Sequence, residues 1–152
     1  MEPAPEDVIE AIAYTFEHDI MPELSSPWAK RMASTTLWAL DHLKRRFLYE
    51  HAFAVEENGE LKRLIAGMRT RLQDGDLRQV LQGGLAEDLP LEERQWPSLR
   101  ELTEENHRLR EAVERVIIDF PELEGNDGAR ELWGEIVGYI QAQTDREFKL
   151  SG

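Results

Sequence analysis

The chain contains no cysteine. Disulfides, thiol nucleophiles and cysteine metal sites are therefore excluded, and a reducing, cytoplasmic setting is the expectation. No stretch approaches the ~18 consecutive apolar residues of a membrane span. Lysine and arginine are absent before Lys30, and Met1 is followed by Glu2, Glu6 and Asp7, so no secretory signal is expected. Ser25, Ser26, Ser34 and Ser98 lack a G-x-S-x-G context, and there is no P-loop and no G-x-G-x-x-G. No catalytic residue is assigned, and an enzyme ranks behind the readings below. Strand-like alternation bounded by hairpin turns is also missing. The one β-branched run, Val116-Ile117-Ile118, lies inside a helical pattern. The expected fold is all-α, a bundle of four main helices plus one short helix.

At 152 residues and 17.6 kDa the chain reads as a single helical domain, residues 1–152. Its net charge of −13 repels nucleic acid and anionic membranes, so neither is an expected partner.

The most informative feature is a partial self-copy. Residues 54–72 (AVEENGELKRLIAGMRTRL) and 102–120 (LTEENHRLREAVERVIIDF) both carry E-E-N-x-x-L, at an offset of 48. Ala54, Asn58, Leu61, Ile65, Met68 and Leu72 then lie over Leu102, Asn106, Leu109, Val113, Val116 and Phe120. Their spacing of 4, 3, 4, 3, 4 is the 3.5-residue period of helices packed side by side. Each seam places an asparagine where an apolar residue would be cheapest. One reading is that Asn58 and Asn106 specify register and a partner, since only one alignment pairs their amides. The other is that each amide faces water at a helix edge. Geometry supplies a criterion: in an antiparallel hairpin Leu72 would approach Leu102 and the asparagines would lie far apart. They meet only if the segments run parallel, through a crossover or a second chain.

Around the seams, a first helix is expected from about Glu6 to Met21, ended by Pro22, with Ile9, Ile12, Phe16 and Ile20 as its stripe. Ser26-Pro27 restarts a helix that stays in pattern to about Gln73, one long helix across the weak point at Gly59. At 1.5 Å per residue, 47 residues reach about 70 Å, so an unbroken helix would need a partner for its end. A short helix is expected over Leu77–Gln82, and an irregular connection over 84–97. Ser98-x-x-Glu101 is a capping box opening a helix to Phe120. Asp127 is the expected cap of the last helix, about Ala129 to Glu147. Its buried side would carry Leu132, Ile136 and Tyr139 together with Trp133, Val137 and Ile140.

Other constellations offer weaker chemistry. Glu104-x-x-His107 is half of a di-iron bundle motif, but no second Glu-x-x-His exists. A mononuclear site joining His107, His51 and a seam carboxylate ranks below a surface ion pair, and no metal or cofactor is assigned. Gly134-x-x-x-Gly138 places two glycines on one helical face. Close packing of a neighbouring helix is the expected use, and a flat ligand the alternative. The basic stretch Lys62, Arg63, Arg69, Arg71 and Arg78 could meet a phosphate ligand or the acidic first helix, and in an acidic protein the first helix is the expectation. Trp28, Trp38, Phe47, Tyr49 and Phe53 are expected in the core, or else lining an apolar ligand pocket with His42, His51 or Asn58.

Pro22-Glu23-Leu24-Ser25-Ser26-Pro27-Trp28-Ala29-Lys30-Arg31 and the two E-E-N-x-x-L segments resemble a group of uncharacterised small all-helical bacterial proteins. These are often encoded beside aminoglycoside-phosphotransferase-like kinases and acyl-CoA dehydrogenases. The resemblance covers about half of the chain and carries over no catalytic residues. It implies an accessory role near small-molecule or acyl catabolism. Taken together, the sequence points to a non-catalytic interaction module, homodimeric or bound to another helical protein, that buries the apolar faces of residues 28–72 and 102–140. The alternative is a bundle that binds a small molecule or metal beside an enzyme.

Overall fold

The computed structural model describes residues 3–73, 75, 77–78, 81, 89–120 and 125–151. Four helices dominate: α1 (Pro5–Thr15), α2 (Pro27–Thr70), α3 (Leu99–Asp119) and α4 (Asp127–Ser151). Among the described residues there is no strand. Among the described residues no helix is long and apolar enough to cross a membrane.

Local chemistry explains the boundaries. Pro5 sits at the first position of α1, where its missing N–H costs nothing, and the Asp7 carboxylate accepts from the Ala4 N–H at 3.3 Å. α1 is shorter than expected: it loosens into a π-helical turn at Phe16–Ile20 and tightens into a 3-10 turn at Met21–Glu23. Pro22 forces that change, because it cannot donate to a continuing helix. Ser26 restarts the chain, its Oγ accepting from the Ala29 N–H at 3.5 Å. α2 then runs unbroken through Gly59 to Thr70 and ends in a 3-10 turn over Arg71–Gln73. The capping box of α3 forms, with the Glu101 N–H donating to Ser98 Oγ at 3.3 Å and the Ser98 N–H to Glu101 Oε2 at 2.8 Å. The last helix starts earlier than expected. Its cap is Asn126, whose Oδ1 accepts from the Ala129 N–H at 3.2 Å, so Asp127 becomes its first residue instead of its cap.

The chain packs as two compact units, residues 1–52 with 147–152, and residues 53–146. In the first, the Lys44 ammonium meets Glu10 of α1 at 2.7 Å. Ala33, Leu37, Leu40 and Lys44 follow at steps of 4, 3 and 4 and so share one side of α2. Ala33 is buried and Leu37 and Leu40 are half-buried, and on α1 Ile9 is buried. Ile12 and Ile20, expected in the α1 stripe, are exposed.

The second unit holds the core: Leu61, Leu64, Ile65 and Met68 of α2, Leu109, Ala112, Val113 and Val116 of α3, and Ala129, Leu132, Ile136 and Tyr139 of α4. Leu77 and Leu81, both helical, are buried in it, while Gln79, Val80 and Gln82 of the expected short helix lie outside the described residues. Of the expected irregular connection, 84–88 lie outside the described residues and 89–97 are non-helical. Trp133 and Ile140, expected on the buried side of α4, are exposed, which leaves Leu132, Ile136 and Tyr139 as its core stripe.

Candidate functional site

Polar side chains buried in the second unit build upward from the two asparagines. Asn106 Nδ2 donates to Asn58 Oδ1 at 2.9 Å. Asn58 Nδ2 donates in turn to the Leu102 carbonyl at 2.9 Å and to Glu105 Oε2 at 3.1 Å. The asparagines therefore meet within one chain, and the criterion above requires parallel helices. The return path shows how. Arg69 donates to the Leu89 carbonyl at 3.1 Å and Lys62 to the Glu92 carbonyl at 2.8 Å. The connection thus runs back along α2 before α3 begins beside Asn58. α4 runs the opposite way, pairing Glu135 with Arg71 at 2.7 Å and Arg146 with Glu60 at 2.7 Å.

The contacts of α2 with α3 are those of a parallel coiled coil in register. With Asn58 and Asn106 at position a, Leu61 and Leu109 fall at d, Glu57 and Glu105 at g, and Lys62 and Arg110 at e. Both g-to-e pairs that this geometry allows are present: Glu57 with Arg110 at 2.7 Å, and Glu105 with Lys62 at 2.9 Å. Each pair repeats the other at the offset of 48. The self-copy therefore pairs with itself about a pseudo-twofold axis. At the next turns Ile65 stands with Val113 and Met68 with Val116 in the heptad numbering, and all four are buried.

Electrostatics hold this arrangement. Burial alone would raise the Glu57 carboxyl, but hydrogen bonds from Arg110, Tyr139 and Asn106 outweigh it and hold the group below the usual carboxylate range. Tyr139 donates to Glu57 Oε1 at 2.8 Å, and burial and that carboxylate push its phenol well above the usual range. Glu105 is ringed by Lys62 and, at 3.5 Å, by Arg94. Every charge in this buried cluster has a counter-ion, as desolvated charges require.

Three residues of the basic stretch find partners inside the same unit. Lys62 meets Glu105, Arg69 a loop carbonyl and Arg71 Glu135. Arg78 is exposed. His107 is exposed on α3 and His51 is exposed on α2. Among the described residues no three His, Asp or Glu side chains converge as metal ligands. Gly134 and Gly138 are exposed, and a Cβ at either would meet no described atom within 4 Å, so no backbone packs closely there.

The first unit carries the complementary feature. Among the described residues only Ile9 and Ala33 are buried apolar residues there, against fifteen in the second unit. Along α2, Trp28, Met32, Ala39, Leu43 and Phe47 make one exposed row, and Trp38 with Tyr49 and half-buried His42 makes a second beside it. Trp28 and Trp38 are each 66% exposed and Phe47 is 57% exposed. Trp38 stacks on His42 with ring centroids 5.6 Å apart. The aromatics expected in a core or a pocket thus lie on the surface, and Phe53 alone of the five is half-buried. Periodicity marks an apolar face but does not say what covers it.

No protein-family model, curated protein or solved structure matches the chain.

Proposed function

We propose that this chain is a non-catalytic helical interaction module that pairs with a second copy of itself through the exposed α2 face of its first unit. The single observation behind this reading is the aromatic face from Trp28 to Tyr49. Apolar patches beyond a few hundred Å² mark interaction surfaces. The exposed fractions of Trp28, Met32, Trp38, Leu43, Phe47 and Tyr49 amount to roughly 700 Å², close to the ~800 Å² that each partner gives a standard interface. Charge favours a second copy. None of the eight side chains that make up the two rows is acidic, in a chain with 31 acidic residues. Two copies can bring these rows together without opposing carboxylates of the rows themselves, and Glu50 beyond Phe47 is paired with Arg46.

The seams that sequence alone offered to a partner are satisfied by each other within one chain, so association falls to the face they leave out. Size-exclusion chromatography with light scattering tests this. A dimer at micromolar concentration is expected, and Trp38→Lys combined with Phe47→Lys should yield a monomer with unchanged helicity. A wild-type monomer would refute self-association. A dimer indifferent to both substitutions would place the interface elsewhere.

A further inference from the structure

The second unit contains a groove of about 340 Å³ between α2 and α4, lined by Glu60, Arg63 and Leu64 on one side and Glu135, Gly138, Tyr139 and Ala142 on the other. Its volume falls at the small end of the roughly 300–1,000 Å³ typical of ligand sites. We propose that this groove binds a small amphipathic anion, an apolar body ending in one carboxylate or similar group.

Three observations carry the assignment. The first concerns shape. Gly138 stands in the interior of α4, where glycine costs helix stability and here returns no packing, since a Cβ would meet no described atom within 4 Å. What its missing side chain does is keep the groove open. The second concerns the walls. Leu64 and Ala142 are apolar, and the Tyr139 hydroxyl is already committed to Glu57, so its ring is what the groove can use. The third concerns charge. Glu60 is paired with Arg146 at 2.7 Å, and Glu135 with Arg71 at 2.7 Å, an arginine shared with Glu131 at 3.9 Å. Arg63 is exposed and, among the described residues, has no counter-ion. Each carboxylate lining the groove thus has a guanidinium partner, and Arg63 is the guanidinium left to grip a ligand carboxylate, the task for which that side chain is best suited.

The test uses the full chain with two probes of one shape and opposite charge, 4-phenylbutyrate and 4-phenylbutylamine, followed by backbone amide shifts in ¹H–¹⁵N spectra. The acid is expected to bind more tightly than the amine and to shift the Gly138 and Ala142 amides most. Arg63→Gln should weaken the acid about five-fold, the upper range for an exposed ion pair, without weakening the amine. Gly138→Leu should abolish binding of both. Gly138→Ala, a milder filling that favours the helix, should retain the fold and bind more weakly than wild type. The proposal is overturned if the amine binds as tightly as the acid, if neither probe shifts these amides, or if Gly138→Leu leaves affinity unchanged. None of these results bears on self-association through the first unit, which light scattering reads separately.

Discussion

Replacing Asn58 alone should harm this protein more than replacing Asn58 and Asn106 together. Asn58→Val deletes three hydrogen bonds at once, to Asn106, Leu102 and Glu105. It deprives the half-buried Asn106 amide of its Asn58 acceptor and removes a donor from Glu105, itself only 6% exposed. Each buried polar group left unsatisfied costs about 1–3 kcal/mol. Burying valine returns about 1.5 kcal/mol, so the net loss should be about 2 kcal/mol, a fall of about 4–8 °C in Tm for a chain of this size. Adding Asn106→Val removes the amide that lost its acceptor, leaves Glu57 its Arg110 and Tyr139 donors, and places two β-branched residues opposite each other at position a, a favourable pair in parallel two-stranded coils. Glu105 keeps its Lys62 partner at 2.9 Å. The double variant should therefore recover to wild-type stability or exceed it by about 1 kcal/mol, since a polar pair exchanged whole for apolar groups is close to neutral. Urea unfolding followed by circular dichroism measures all four species. Additive losses in the double variant would show that the two amides do not face each other, and the in-register parallel pairing would fall with them.

Three other outcomes follow from the same geometry. Exchanging the charges of one g-to-e pair (Glu57→Arg with Arg110→Glu) should restore part of the roughly 3–5 kcal/mol that either change costs alone by leaving a buried charge unpaired, as urea midpoints would report. The depressed Glu57 carboxyl stabilises the fold above its unfolded pKa of about 4.3, and that contribution is lost as pH falls through the lower folded value. Glu57→Gln should accordingly flatten the decline of stability below about pH 4, and an acid limb identical to wild type would contradict the assignment. Because α2 continues through Gly59, where an added Cβ meets no described atom within 4 Å, Gly59→Ala should raise stability by about 0.5–1 kcal/mol in thermal unfolding.

The helices, the seams and the condition for parallel pairing were legible because each rests on local spacing. Ile65, Met68, Val113 and Val116 are buried as the 3.5-residue period requires. The charges flanking the seam, Glu57, Lys62, Glu105 and Arg110, repeat at the same offset as the asparagines, and that signal was available. A count of basic residues hid it by assigning Lys62 and its neighbours to the first helix. The aromatic face was misread for a different reason. Trp28, Trp38 and Phe47 recur at helical spacing whether a core, a pocket or solvent lies beyond them, and no pattern within one helix distinguishes these. Capping competition between adjacent Asn126 and Asp127 turned on a single residue of phase. The Gly134–Gly138 face read as close packing because glycine pairs commonly serve it, whereas here the described surroundings are open.

Carrying both strands of the parallel pair on one polypeptide changes the thermodynamics of their union. Two separate chains would zip by a second-order reaction and come apart on dilution. Joined through residues 71–98, they meet in an intramolecular step whose equilibrium is independent of the protein concentration in solution. The α2–α3 pair should thus persist at nanomolar protein, where an association between chains has already been lost.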